Sequence, residues 1–132
     1  MNDHSSLSES SIWDFIKQYE LAANSRDFSK VSELIHPNAI FIFPDGKYIG
    51  RETIRSAFEK TWSLENSGDD FNLSDIKILC ADTESATITF QYHWTVLIDD
   101  QPHKITGRGT SVIVKNNTKL QIIHEHLSHI SE

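Results

Sequence analysis

The run from Ala86 to Ile98 places Ala86, Ile88, Phe90, Tyr92, Trp94, Val96 and Ile98 on one side of an extended chain and Thr87, Thr89, Gln91, His93 and Thr95 on the other. Leu97 alone breaks the alternation. Period-two patterning over this length is that of an antiparallel strand with one face buried and one face wet. Its buried side carries large aromatics, some tipped with polar groups. Such a strand walls a small-molecule cavity as readily as it fills a solid core. What the chain does therefore depends on which residues share that side.

The rest of the chain supplies few alternatives. A length of 132 residues makes one domain able to bury a core without staples. With 12 basic against 19 acidic residues the net charge is −7, and no Lys/Arg cluster exceeds a pair. A phosphate backbone or an anionic membrane is therefore excluded as the expected partner. Cys80 is the sole cysteine, so no disulfide closes within the chain. The acidic, serine-rich start from Met1 to Ser11 lacks the regions of a signal peptide. A reducing, cytoplasmic setting is expected, with residues 1–10 as a flexible tail and 11–132 as the domain. No apolar run approaches the ~20 residues of a spanning helix.

Ile12, Phe15, Ile16, Tyr19, Ala22 and Ala23 recur at helical spacing, with Ser6 and Glu9 or Ser11 and Asp14 as candidate caps. A second helical pattern, Phe28, Val31, Leu34 and Ile35, stops before Pro37. Ala39 to Phe43 reads as a short strand, Pro44-Asp45-Gly46 as a turn, and Lys47 to Ile49 as the returning strand. A third helix starts at Arg51 with Ile54, Ala57, Phe58, Thr61, Trp62 and Glu65 as its stripe, ended by Asn66-Ser67-Gly68. From Phe71 everything reads as strand: Phe71 to Cys80, Ala86 to Ile98, His103 to Lys115, and a last strand through Ile122. Helices first and a four-stranded meander last imply an α+β fold, with helices packed on one face of a curved, mostly antiparallel sheet.

A turn at Asp100-Gln101 pairs Tyr92 with Gly109 and Phe90 with Ser111, and faces the odd-numbered residues of the returning strand inward. Gly107 and Gly109 then lie opposite Trp94 and Tyr92, either as a cavity wall or as room for bulky neighbours. The last hairpin is open between two registers. A three-residue turn at Asn116-Asn117-Thr118 pairs Lys115 with Lys119 and sends Ile123, Glu125 and Leu127 inward. A two-residue turn sends Ile122, His124 and His126 inward instead.

The segments Ile105-Thr106-Gly107-Arg108-Gly109-Thr110-Ser111-Val112-Ile113-Val114 and Ile122-Ile123-His124-Glu125-His126-Leu127-Ser128 resemble SnoaL-like proteins of the nuclear transport factor 2-like (ketosteroid isomerase-like) superfamily. Pro44-Asp45-Gly46-Lys47-Tyr48-Ile49-Gly50-Arg51-Glu52, leading into a helix, is similar to the same group. The resemblance spans nearly the whole chain from about Ser8 and is nearest to the subgroup holding the association domain of calmodulin-dependent kinase II. It implies a cone-like roll enclosing a pocket between helices and sheet, a homodimer through the sheet, and the three-residue-type turn before the last strand. Where some relatives keep inward arginines, this chain has Tyr92, Ser111 and Leu127. The same cone hosts isomerases, cyclases, dehydratases and modules without chemistry, so the fold leaves activity open.

Under the three-residue turn the inward set is Tyr92, Trp94, Ser111 and Glu125, faced by Phe58 and Trp62 and by candidates among Phe41, Phe43, Tyr48, Trp13 and Tyr19. Glu125 is then the lone carboxyl on an apolar wall. Burial raises its pKa, which suits a general acid or base, and Tyr92 is placed to polarise a carbonyl or enolate oxygen. Ketosteroid isomerase combines a base Asp with a Tyr and a protonated Asp; this chain offers one acid and one tyrosine. The structural alternative is a carboxyl held by a hydrogen bond near an open rim. His124 and His126 share a face about 6.7 Å apart in rise, a spacing open to metal, with His93 and His129 as further candidates. Yet His93, Arg108 and His126 fall in one outward row, where the arginine repels a cation, so no metal and no cofactor is expected. The expected ligand is a small apolar or amphipathic organic molecule, held by Trp94, Ser111, Phe58, Trp62, Tyr48 and Phe43. Two functions stay open: cofactor-free proton transfer next to a carbonyl by Glu125 and Tyr92, or a non-catalytic binding or assembly module.

Overall fold

A computed structural model describes residues 7–63 and 70–130 of the chain. The first helix, α1 (Glu9–Ser25), buries Ile12, Phe15, Ile16, Tyr19, Ala22 and Ala23, the stripe that the spacing predicts. Its cap is Ser8, whose hydroxyl accepts the Ser11 amide at 3.1 Å, and not the Ser11/Asp14 pair; Ser6 lies outside the described residues. The Leu7 amide donates to the Asp82 carbonyl at 2.8 Å and ties the helix entry to a sheet turn.

The second helix, α2 (Phe28–Ser32), is shorter than its apolar pattern suggests. Ile35, expected in that helix, instead opens the strand β1 (Ile35–Phe43), which runs straight through Pro37. The cause is tertiary. The Leu34 carbonyl accepts the Ile122 amide at 2.8 Å and Ile35 pairs with Ile122, while the register shifts between Ile35 and Ile40, where a residue without an N–H is tolerated. Next come β2 (Gly46–Ile49), paired with β1, and α3 (Arg51–Trp62). The expected stop at Asn66-Ser67-Gly68, and Glu65 with it, lies outside the described residues.

The remaining strands are β3 (Asn72–Ala81), β4 (Ser85–Ile98), β5 (Gln101–Asn116) and β6 (Lys119–His129). They form the expected antiparallel meander, and β1 joins β6 in parallel to give one sheet in the order β2-β1-β6-β5-β4-β3. Two helices precede the first strand and the third follows the β1–β2 pair, and the fold is α+β with the helices against one sheet face. Phe41, Ile12, Ile35, Ile54, Ile113 and Val31 are the largest side chains wholly shut from solvent. Each such burial contributes roughly 1.5–3 kcal/mol.

Two hairpins depart from the expected registers. The β4–β5 turn is Asp99-Asp100, with φ of 53° and 62°, so Ile98 pairs with Gln101 rather than Asp99 with Pro102. A tight turn with two successive positive φ angles suits aspartate better than glutamine. Pairing moves by two residues, so Tyr92 faces Gly107 and Phe90 faces Gly109, and an even shift leaves the inward face unchanged. The β5–β6 turn takes two residues, since Asn116 pairs with Lys119 and Lys115 with Leu120, not with Lys119. Between Ile113 and Val112 the register slips: Ile113 pairs with Ile122, Val112 with His124, and Ile123 is the extra residue of a β-bulge. The bulge exchanges the faces of β6, so Ile122 and Glu125 both point into the core, each 2% exposed, whereas His124 and His126 point out. One strand thus contains both of the alternatives left open by the sequence.

Candidate functional site

Glu125 sits midway along β6, opposite Ser111 on β5 and Phe41 on β1. The Tyr19 hydroxyl donates to its Oε2 at 3.2 Å and the Ser111 hydroxyl to its Oε1 at 2.9 Å. Among the described residues it takes part in no ion pair. Loss of water raises the Glu125 carboxyl to about 7, and the two hydroxyl donors pull only partly the other way. Burial, and then the neighbouring carboxyl, push the Tyr19 phenol well above its ordinary value.

Tyr19 reaches that oxygen because α1 is fastened to the start of β3. The Asn24 amide donates to the Phe71 carbonyl at 2.9 Å and accepts the Phe71 amide at 2.8 Å, while Glu20 accepts the Leu73 amide at 2.7 Å. Phe71 meets the Tyr19 ring edge-on, with centroids 6.3 Å apart.

A cavity of about 290 Å³ opens in front of Glu125 and Tyr19. Phe43, Phe58, Trp62, Tyr92 and Trp94, all expected on its walls, line it. Phe58 is the hub of that wall, in edge-on contact with Phe28, Phe43 and Trp62 at 5.5–6.0 Å, an arrangement that fixes ring positions. Ser111 lies behind Glu125 and supports it rather than facing the cavity. Tyr48, expected as a wall, instead packs on the outer side of Phe43 at 5.6 Å and donates to Asp45 Oδ1 at 3.0 Å. Of the other candidates, Phe41 is core beneath Phe58 and Trp13 is 39% exposed on the far side of α1.

Tyr92 faces the cavity with its ring laid across Gly107, and its hydroxyl donates to the Ser128 carbonyl at a long 3.4 Å. A β-carbon at Gly107 would overlap the Tyr92 ring, and one at Gly109 the Phe90 ring. The glycines are therefore room for bulky neighbours, the second of the two readings open from sequence. Asn24, Arg26, Asp45, Thr61 and Phe71 also line it without having been expected at the site, and His129, weighed only as a metal ligand, lies on it too. Tyr19 carried a signal: it is the one residue on the buried stripe of α1 that ends in a hydroxyl.

The sequence model of the SnoaL-like domain matches residues 12–132. The chain belongs to the SnoaL-like family. No curated protein matches it. Among solved structures, this SnoaL-like domain is similar to an association-domain-like protein of calcium/calmodulin-dependent protein kinase II type from Xanthomonas campestris, at 19% identity and a TM-score of 0.76 over 100% of this chain and 99% of that one. It is also similar to a nuclear transport factor 2-like superfamily protein from Salmonella enterica serovar Typhimurium, at 24% identity and TM-score 0.72 over 93% and 91%. A protein with a cystatin-like fold from Caulobacter vibrioides gives 18% identity and TM-score 0.76 over 92% and 89%. Likeness at these identities establishes the fold and leaves the chemistry to the residues.

On the outer sheet face of the SnoaL-like domain, the expected row of His93, Arg108 and His126 does not form, because the β4–β5 and β5–β6 registers both moved. Arg108 pairs with Gln91 and Ser128, and His126 with Thr110 and Ile42. His93 instead bridges Ser74 at 2.7 Å and Thr106 at 3.3 Å. Among the described residues no three His, Cys, Asp or Glu side chains gather to hold a metal ion, and no helix is long and apolar enough to cross a membrane.

Proposed function

We propose that this SnoaL-like domain binds a small apolar or amphipathic organic molecule in the cavity before Glu125 and transfers a proton next to a carbonyl of that molecule, as in an isomerisation, cyclisation or dehydration. The observation that carries the reading is the Glu125 carboxyl, buried at the aromatic cavity with a proton affinity near neutrality and no fixed countercharge. A group poised near pH 7 can both take and return a proton. Tyr92 is the donor to the substrate oxygen: its bond to Ser128 is long enough to be given up for a better acceptor. Phe43, Phe58, Trp62 and Trp94 hold the substrate's body, Ser111 steadies the acid, and Tyr48 fixes the Phe43 wall. A cavity of about 290 Å³ suits a molecule of one or two rings.

The test is solvent-deuterium incorporation beside the carbonyl of a panel of cyclic ketones and aromatic polyketide-like compounds, after hits are chosen by thermal shift. Replacement of Glu125 by Gln is expected to slow exchange roughly 10²–10⁴-fold, and Tyr92→Ala to abolish the thermal shift. Equal exchange in Glu125→Gln would refute proton transfer and leave binding alone.

A second reading, a homodimeric assembly module, is favoured by the outer face, where exposed Ile40 and half-buried Ile42 and Val112 flank His124. Light scattering at micromolar concentration decides it: a monomer mass removes the dimer, and a dimer that Val112→Arg splits supports it.

A further inference from the structure

We propose that the ligand of this cavity is an organic cation, an apolar or aromatic molecule whose protonated amine sits beside Glu125 while its body lies among the rings. The inference rests on the reading of the cavity as a ligand site and adds the charge of what fills it.

The first support is the incomplete company of Glu125. Its carboxyl oxygens accept from two neutral hydroxyls, and among the described residues it joins no ion pair. A buried carboxylate without a countercharge is costly to ionise, and a cation brought by a ligand removes that cost. The second support is the wall. Phe43, Phe58, Trp62, Phe71, Tyr92 and Trp94 present ring surfaces to the same space, and the faces of aromatic rings, tryptophan above all, attract ammonium groups. A carboxylic ligand meets the opposite conditions, since it would set a second acid against Glu125. The overall charge of −7 also favours the arrival of cations.

The charged and titratable groups around the site come from every neighbouring element. Tyr19 approaches from α1, Tyr92 from β4 and Ser111 from β5, none of them charged near neutral pH. Arg26 after α1, Asp45 after β1 and His129 on β6 line the cavity as well. Asp45 is held by Tyr48 and Lys60, and Arg26 donates to the Trp62 carbonyl at 3.5 Å. An ammonium at Glu125 keeps that carboxyl ionised and lowers its proton affinity, so the charge of the ligand bears on binding and not on the strength of the base.

The test compares three probes of one shape by titration calorimetry on the full chain: 2-(aminomethyl)naphthalene, 2-naphthylmethanol and 2-naphthoate. At pH 8 the amine is expected to bind at least about tenfold more tightly than the alcohol, and the naphthoate more weakly than either. At pH 5.5, where the amine keeps its proton but Glu125 is neutral, the advantage is expected to shrink to about threefold or less. Since His129 also lines the cavity, His129→Asn is expected to leave most of that loss in place. Glu125→Gln is expected to erase the amine's advantage at pH 8 and spare the alcohol. Should that variant fail to fold, the pH series on the natural chain decides alone. Alcohol binding as tight as amine binding at pH 8, or a preference untouched by pH, overturns the cation inference and leaves the ligand site standing. Binding of none of the three overturns both.

Discussion

Tyr19 donates to Glu125 at 3.2 Å in the interior, and Tyr48 donates to Asp45 at 3.0 Å at the rim of the same cavity. The two pairs are chemically alike, yet their carboxyls move in opposite directions. At the rim, slight loss of solvent works upward, but the bonds from Tyr48 and Lys60 and the Lys60 charge outweigh it and hold Asp45 below its usual range. In the interior, loss of solvent dominates, and hydroxyls alone cannot stop Glu125 rising to about 7. The difference teaches that a hydrogen bond from tyrosine does not set a carboxyl's acidity; water and a cation do. The rim pair is a structural clasp, and the buried pair holds a carboxyl whose proton affinity lies near neutrality.

The comparison is most sharply tested by the pH dependence of stability. The Glu125 carboxyl is raised in the fold, so between about pH 4.5 and 7 the folded chain keeps a proton that the unfolded chain releases. Stability from this group therefore falls as pH rises through that window. The move from 4.5 to about 7 corresponds to about 3 kcal/mol lost by pH 8. Urea denaturation from pH 4.5 to 8 should show that loss in the natural chain and not in Glu125→Gln. Parallel curves for the two would break the contrast.

A smaller effect is expected from Tyr19→Phe. Removing the donor should cost roughly 1.5–3 kcal/mol at pH 8, where it serves a charged acceptor, and nearer about 1 kcal/mol at pH 5. The Glu125 titration, followed by carboxyl NMR, should move further up. Smallest is the rim. Tyr48→Phe and Asp45→Asn should each change stability by no more than about 1 kcal/mol, since the Lys60 partner is solvent-exposed and salt screens it. The Asp45 share runs with the opposite sign: its carboxyl is lowered in the fold, so its contribution is present at neutral pH and fades in acid. A rim variant as costly as the interior one would erase the distinction.

Much of this was legible in the chain. The alternation from Ala86 to Ile98 dictates a half-buried strand, and its aromatic side does wall the cavity. Glu125 emerged as the buried acid only under the three-residue turn, in whose place the structure has a two-residue turn and a bulge that bring it inward. Tyr48 was misplaced because a strand residue's face says nothing about which turn residue will take its hydroxyl; here Asp45 did. Trp13 was misplaced because a helix that packs on one side leaves even a tryptophan outside its stripe. Tyr19 was weighed only as a ring. Its role as partner to Glu125 joins residues far apart in sequence, and no local pattern reports such a pair.

Period, turn chemistry and charge are local quantities. The sequence by itself therefore determined the order of helices and strands and the inward face of β4 and β5. The parallel joining of β1 to β6, the bulge at Ile123 that turns Glu125 inward after a two-residue hairpin, and the docking of α1 through Asn24 and Glu20 belong to the tertiary structure alone. Each satisfies backbone groups or buried surface across distant segments at once. That condition has meaning only when the whole sheet and its helices are in place.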